Sequence, residues 1–155
     1  ALRLGLDFLD SDDEIEARTG VDISYIFERE GEAGFRQREA EVIDALSSRD
    51  RVLVSTGGGA ILDPLTRERL RARGRVVYLR TSVDQQLART RRSNDRPLLN
   101  NPDPRGTLER LFAERAPLYA EVAECVVDTD GRKVKTVVEQ ICRQLGLEEG
   151  GEFSQ

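Results

Sequence analysis

The chain has 155 residues, a net charge of −5 and 38% hydrophobic residues. This is one domain's length, with too much charge for a membrane protein and too much patterned hydrophobicity for a disordered chain. The acidic balance argues against nucleic-acid binding, and no apolar run reaches the roughly 18 residues of a membrane span. The lack of histidine excludes His-based catalysis and most zinc sites. We expect a reduced, cytoplasmic protein with Cys125 and Cys142 in its core.

Short apolar segments alternate with amphipathic segments along the chain. The pattern predicts strands at 6–9, 51–55, 76–79 and 125–127. It predicts helices at 12–18, 24–30, 33–46, 64–73, 83–92, 106–122 and 133–145. This alternation is typical of right-handed crossovers between parallel strands, in a sheet covered by helices on both faces. We expect a single domain over 1–146, a mobile loop at 93–105 and a flexible tail at 147–155.

Acidic residues and glycines follow the first two predicted strands, where ligands bind in parallel sheets. Asp10 and Asp12 come directly after the first strand. Two such carboxylates can bind a hydroxyl or a hydrated Mg²⁺, and one can accept a proton; alternatively, Asp12 or its neighbour only caps the next helix. Gly57, Gly58 and Gly59 follow the second strand, where bare backbone favours close approach of a ligand over a simple tight turn.

Arginine supplies all but two of the 24 basic residues. Arg36 lies at the edge of the apolar face of its helix, where either a pair with Glu32 or a bound ligand would explain it. Arg115 shares an inward-facing helix stripe with Leu111 and Tyr119. A buried guanidinium needs an anionic partner. Of a structural carboxylate and an anionic ligand, we favour the ligand for Arg115.

Four arginines flank the predicted loop: Arg89, Arg91, Arg92 and Arg96. A charge run of this kind is usually a solvated surface. Arg96, directly before Pro97, would instead fold over a phosphate and exclude water if the loop closes as a lid.

Together these segments resemble the shikimate kinase family over about residues 4–145. The matching segments are LDFLDSDDEIEARTG, IFEREGEAGFRQREAEVI, STGGGAIL, VVYLRTSVDQQLART, RPLL and ERAPLYAEVAECVVDT. The resemblance implies a three-layer αβα fold with a parallel sheet, in the nucleoside-monophosphate-kinase-like branch of P-loop NTPases. It also implies transfer of the ATP γ-phosphate to the 3-hydroxyl of shikimate in aromatic amino acid biosynthesis. The expected cofactors are ATP and Mg²⁺, and the expected state is a monomer with no nucleic-acid or membrane partner.

The resemblance also assigns site residues. The implied shikimate site consists of Asp12, Arg36, Gly57, Gly58, Gly59 and Arg115. The implied nucleotide site consists of Arg89, Arg96 and Arg132. Asp12 would bind the substrate hydroxyls and take the proton, and Arg96 would be the catalytic lid arginine that reaches the ATP phosphates. Asp10 and Asp12 would hold Mg²⁺ through water.

The chain departs from the family pattern in one respect. The 155 residues contain no glycine-rich G-x-x-x-x-G-K-[ST] phosphate loop, and Lys133 and Lys135 both lie in the last predicted helix. We expect the first strand, this loop and most of the first helix, roughly 30 residues, to lie before Leu4 in a longer protein. The strand would be central, so two neighbours would have unpaired edges. Two alternatives stay open, a non-catalytic shikimate-binding remnant and another small-metabolite kinase such as a gluconate kinase.

Overall fold

The computed structural model describes residues 1–90 and 101–147. Its strands are β1 (Asp7–Asp10), β2 (Val52–Ser55), β3 (Val77–Arg80) and β4 (Cys125–Asp128). Its α-helices are α1 (Ser11–Thr19), α2 (Ile23–Ser47), α3 (Pro64–Arg73), α4 (Val83–Thr90), α5 (Pro104–Val122) and α6 (Val134–Gln144). Short 3₁₀ turns lie at Leu2–Leu4 and Ala60–Leu62. Most of the predicted loop at 93–105 and nearly all of the predicted tail lie outside the described residues.

All strand pairing is parallel, as the alternating pattern predicted. β1 pairs with β2 so that Asp10 lies opposite Ser55, and β3 pairs with β4 so that Arg80 lies opposite Asp128. In the described residues the strands form two separate two-stranded sheets, where the sequence predicted one parallel sheet in which two strands would have unpaired edges. Since no described strand joins the two pairs, each strand has one edge without a strand partner.

Helix α1 begins one residue earlier than predicted, at Ser11, because Asp10 is its cap. The Asp10 side chain accepts a hydrogen bond from the backbone N–H of Asp12 at 2.9 Å. Capping by Asp12 or Asp13 was therefore the wrong expectation. The consequence for function is that the carboxylate of Asp12 is not used to hold the helix end.

Helix α2 unites two predicted helices across a kink. Gly31 has φ 70° and ψ −177°, a conformation that only glycine adopts without strain. The side chain of Arg38 donates two hydrogen bonds of 2.8 Å across the kink to the carboxylate of Glu30. The part of α2 that follows Gly31 then carries Arg36 and Glu39 towards the end of β2.

The two sheets have separate hydrophobic clusters. The cluster beside β1 and β2 consists of Ile15, Ile26, Phe35, Val42 and Leu46. The cluster beside β3 and β4 consists of Cys125, Val127 and Leu145. Both cysteines are buried and free, which confirms their predicted place in the core. Among the helices of the described residues, none is long and apolar enough to cross a membrane.

Candidate substrate site

The candidate site lies where β1 and β2 end. Because Asp10 and Ser55 are register partners, the start of α1 and the glycine turn 57–59 emerge side by side. A Cβ atom on Gly57 would lie 2.8 Å from Oε1 of Glu39 and 3.8 Å from Oδ1 of Asp12. The bare backbone is thus needed here, since the carboxylate of Glu39 occupies the space of a side chain and that of Asp12 is in van der Waals contact with it.

Arg36 reaches the same turn from α2. Its guanidinium carbon lies 2.3 Å from where a Cβ on Gly59 would be, so the group rests directly on the glycine backbone. Nη1 donates to Oε2 of Glu39 at 2.6 Å, and Nη2 donates to Oε1 of Glu32 at 3.2 Å. The pair with Glu32 that the sequence offered as an explanation is therefore present, but the shorter contact goes to the buried Glu39.

Arg115 comes from α5, and its predicted inward placement is confirmed. Its Nη1 lies 3.5 Å from where a Cβ on Gly58 would be. Nε and Nη2 are buried and have no hydrogen-bond partner in the part of the chain that the structure describes. Guanidinium nitrogens taken out of water cost free energy unless an acceptor binds them. The arrangement therefore suits an anionic ligand that supplies two acceptor atoms.

Glu39 belongs to this site, although sequence analysis gave it no role. Its side chain is 2% exposed, and Oε1 has no hydrogen-bond partner among the described residues. Burial raises the pKa of Glu39, while the neighbouring Arg36 opposes that rise. The available signal was an acidic residue between Phe35 and Val42 on the apolar stripe of a helix, three residues after Arg36.

Asp12 supplies the second carboxylate. Its Oδ1 is buried and has no partner in the described residues. Burial raises the pKa of Asp12 and the charge of Asp10 adds to the rise, whereas Arg36 lowers it. Two carboxylate oxygens and two guanidinium nitrogens that lack partners in the described residues thus belong to side chains beside one glycine turn. This set can bind a small molecule that carries both hydroxyl groups and an anionic group.

Of the predicted nucleotide and metal residues, Asp12 belongs to this cluster, whereas Arg89 and Arg132 do not join it. Arg89 is exposed in the last turn of α4, and Arg132 follows β4 and donates a hydrogen bond to Gln140 of α6. Arg96 lies outside the described residues. In the described ranges no group of three or more potential metal ligands is found. Asp10 and Asp12 therefore offer only two carboxylates, a set that suits a mostly hydrated Mg²⁺ rather than a metal held by protein alone.

Comparison with known proteins gives consistent matches over nearly all of the chain. The family model for shikimate kinase matches residues 1–146. A shikimate kinase from Halorhodospira halophila is 57% identical over 142 residues, which cover 92% of this chain and 80% of that protein. A shikimate kinase from Alteromonas mediterranea is 52% identical over 144 residues, covering 93% and 84%. A solved structure, shikimate kinase from Acinetobacter baumannii in complex with shikimate, has a TM-score of 0.90 and 44% identity, covering 95% of this chain and 82% of that one.

Proposed function

The chain belongs to the shikimate kinase family, and we propose that Asp12, Arg36, Glu39 and Arg115 form its shikimate site. The reaction joins the γ-phosphorus of ATP to the 3-hydroxyl oxygen of shikimate and breaks the bond from that phosphorus to the bridging oxygen. ADP leaves, and the hydroxyl gives up its proton. The observation that carries the proposal is a set of buried atoms without hydrogen-bond partners among the described residues, two nitrogens of Arg115 and one oxygen each of Asp12 and Glu39, in side chains beside the same glycine turn.

Arg115 is suited to the carboxylate of shikimate. The planar guanidinium matches a carboxylate with two parallel hydrogen bonds, and its Nε and Nη2 are the atoms left without a partner in the described residues. Arg36 lies across the same glycine turn but already donates to Glu39 and Glu32. We therefore assign Arg115 the principal contact with the carboxylate, and Arg36 a supporting charge.

The carboxylate of Asp12 is suited to the hydroxyl groups. Its Oδ1 is buried, free of helix capping and placed beside Gly57. A carboxylate at that point can accept a hydrogen bond from the reacting hydroxyl and then take its proton. The raised pKa of Asp12 makes it a stronger base than an ordinary aspartate. Backbone groups of Gly57, Gly58 and Gly59 would approach the substrate closely.

The phosphate donor of the family is ATP, and the residues that would hold it here are Arg89, Arg96 and Arg132. A magnesium ion would be held through water by Asp10 and Asp12, whose oxygen ligands suit a hard cation. When bound, it supplies neutralisation of the negative charge on the transferred phosphoryl group. The protein's own contribution is to place the hydroxyl in line with the phosphorus and to exclude water.

The proposal is tested by phosphorylation of shikimate, measured as ADP release with ATP and Mg²⁺ present. Arg115→Ala should lower kcat/KM for shikimate by roughly 100-fold or more, because a buried charged contact to the substrate is lost. Arg110→Ala is the matched control, since Arg110 is exposed on the same helix. A rate for Arg115→Ala equal to that of the control would contradict the proposed site.

Binding can be measured apart from turnover. Calorimetry with shikimate in the presence of a non-hydrolysable ATP analogue reports the affinity of the proposed site, and Arg115→Ala should weaken that affinity while Arg110→Ala leaves it unchanged. Gluconate added as a competitor tests the specificity for the acceptor, and it should not slow the phosphorylation of shikimate.

A further inference from the structure

We infer that Tyr119 is a positioning residue, which fixes both the glycine turn and Arg115 for the substrate. The identity of that substrate rests on the function proposed above. The positioning itself rests on three contacts of Tyr119, one each to the glycine turn, to Arg115 and to Tyr78.

The first contact fixes a peptide group. The hydroxyl of Tyr119 donates a hydrogen bond to the carbonyl oxygen of Gly58 at 2.5 Å. The described backbone contains no cis peptide bond, so the carbonyl of Gly58 and the N–H of Gly59 point in opposite directions. Holding the carbonyl towards Tyr119 therefore holds the N–H of Gly59 away from it. Consecutive glycines have wide backbone freedom, and this hydrogen bond restricts it.

The second contact fixes the arginine. A Cβ atom on Gly58 would lie 3.1 Å from the Tyr119 hydroxyl and 3.5 Å from Nη1 of Arg115. The hydroxyl and the guanidinium therefore lie on the same side of Gly58. Hydrogen bonding and charge from Arg115 lower the pKa of Tyr119, against a larger rise caused by burial. A hydroxyl that donates its proton to Gly58 keeps lone pairs for a guanidinium. Tyr119 thus lies on the same side of Gly58 as Nη1 of Arg115, while Nε and Nη2 have no hydrogen-bond partner among the described residues.

The third contact fixes the tyrosine ring. Tyr78 of β3 stacks on Tyr119 with ring centroids 4.3 Å apart and planes inclined by 16°. The ring of Tyr119 is thus held between α5 and β3, and its hydroxyl has a defined position. Tyr119 in this way connects the glycine turn after β2 to the sheet formed by β3 and β4.

The test compares two tyrosine variants. Tyr119→Phe keeps the ring and its stacking but removes the hydroxyl, and Tyr25→Phe makes the same change on an exposed residue of α2. Tyr119→Phe should raise the KM for shikimate about tenfold, the effect of one lost hydrogen bond, and leave the KM for ATP unchanged. A merely structural loss would reduce the amount of active enzyme, which lowers kcat and leaves both KM values unchanged. Tyr25→Phe should match the unmodified protein.

A second measurement does not depend on the substrate. In ligand-free protein with ¹³C,¹⁵N-labelled glycine, Tyr119→Phe should shift the Gly58 carbonyl and Gly59 amide resonances, and Tyr25→Phe should not. Unshifted resonances, or an active Tyr119→Phe enzyme with an unchanged KM for shikimate, would overturn the inference. Shifted resonances in a protein that does not bind shikimate would support the positioning role and reject the proposed function.

Discussion

The charged residues at the ends of the two sheets differ in burial and in hydrogen bonding. At the end of the β3–β4 pair, Arg80 and Asp128 are opposite each other and form a hydrogen-bonded ion pair of 2.6 Å at the surface. At the end of the β1–β2 pair, Asp12, Glu39 and Arg115 each keep buried atoms that no described residue satisfies. At the carboxyl end of one strand pair the charged groups are exposed and paired. At the carboxyl end of the other they are buried and keep atoms without hydrogen-bond partners among the described residues.

This difference in burial indicates which half of the molecule is arranged for ligand binding and not for stability. Exposed ion pairs contribute little to stability, because water screens them. Buried charges without partners destabilise a protein by much more, and they persist where a ligand completes them. We therefore expect substitutions in the β1–β2 half to change activity strongly, and substitutions at the β3–β4 pair to change neither activity nor stability much.

The largest effect is expected for Asp12→Asn. Loss of the proton acceptor should lower kcat about 100-fold or more. The same substitution should raise the free energy of unfolding at neutral pH, because it removes a half-buried negative charge beside Asp10. Shikimate turnover and thermal unfolding measure the two effects. Loss of both activity and stability would mean that Asp12 stabilises the folded protein, and would contradict its proposed role as the proton acceptor.

The pH dependence of the unmodified protein gives a second view of Asp12. Its pKa is raised from the ordinary value of 3.8, so the folded state binds a proton more readily than the unfolded state. The contribution of Asp12 to the free energy of unfolding therefore decreases as the pH rises from 3.8 through its raised pKa. Asp12→Asn should lack this decrease. Conversely, kcat/KM should decline on the acid side at a pH above 3.8.

A smaller effect is expected for Glu39→Gln. The substitution keeps the volume but removes the negative charge that binds Nη1 of Arg36, so kcat/KM for shikimate should fall roughly 10- to 100-fold. Glu41→Gln makes the same change on the exposed face of α2 and serves as the control. Equal kinetics for the two variants would show that Arg36 is held well enough by Glu32.

Gly59→Ala should have a moderate and selective effect. Its Cβ atom would occupy the space of the Arg36 guanidinium, which is the movable end of a long side chain. We expect the fold to survive, Arg36 to be displaced and the KM for shikimate to rise about tenfold. Gly74→Ala is the control, since the nearest atom to its Cβ would be 4.0 Å away. Crystallography of Gly59→Ala with Arg36 in its original place would contradict this account.

The smallest effect is expected at the Arg80–Asp128 pair. Both side chains are exposed to solvent, which screens their attraction, so replacing Arg80 with Gln should hardly change the free energy of unfolding. A double-mutant cycle with Asp128→Asn measures the pair directly. Calorimetry should give an unchanged affinity for shikimate. A weakened affinity would mean that the two sheets are coupled more closely than their separate charges indicate.

Local signals in the sequence were sufficient for much of the fold. Helix α3 has its predicted bounds, because Asp63, Pro64 and Gly74 mark its ends by side-chain and backbone chemistry that involves near neighbours only. The inward placement of Arg115 likewise followed from the periodicity of its own helix. Signals of this kind do not depend on what the rest of the chain does.

Other features depended on contacts that a sequence pattern does not contain. The division into two sheets is decided by which strands pair over long separations. The place of Glu39 depends on Arg36 and on the glycine turn, which come together only in the folded chain. Its acidic character gives no sign of this, since buried glutamates are rare. The helix cap was misplaced by two or three residues because Asp10, Asp12 and Asp13 are all chemically suited to it.

The contact between Arg36 and Gly59 also limits how this site can change during evolution. The guanidinium fills the volume that any side chain at position 59 would need. The two positions therefore cannot vary independently. A lineage that acquires a larger residue at 59 must also shorten or redirect residue 36, and each change alone impairs the site. Variation at this pair should accordingly be found as paired exchanges.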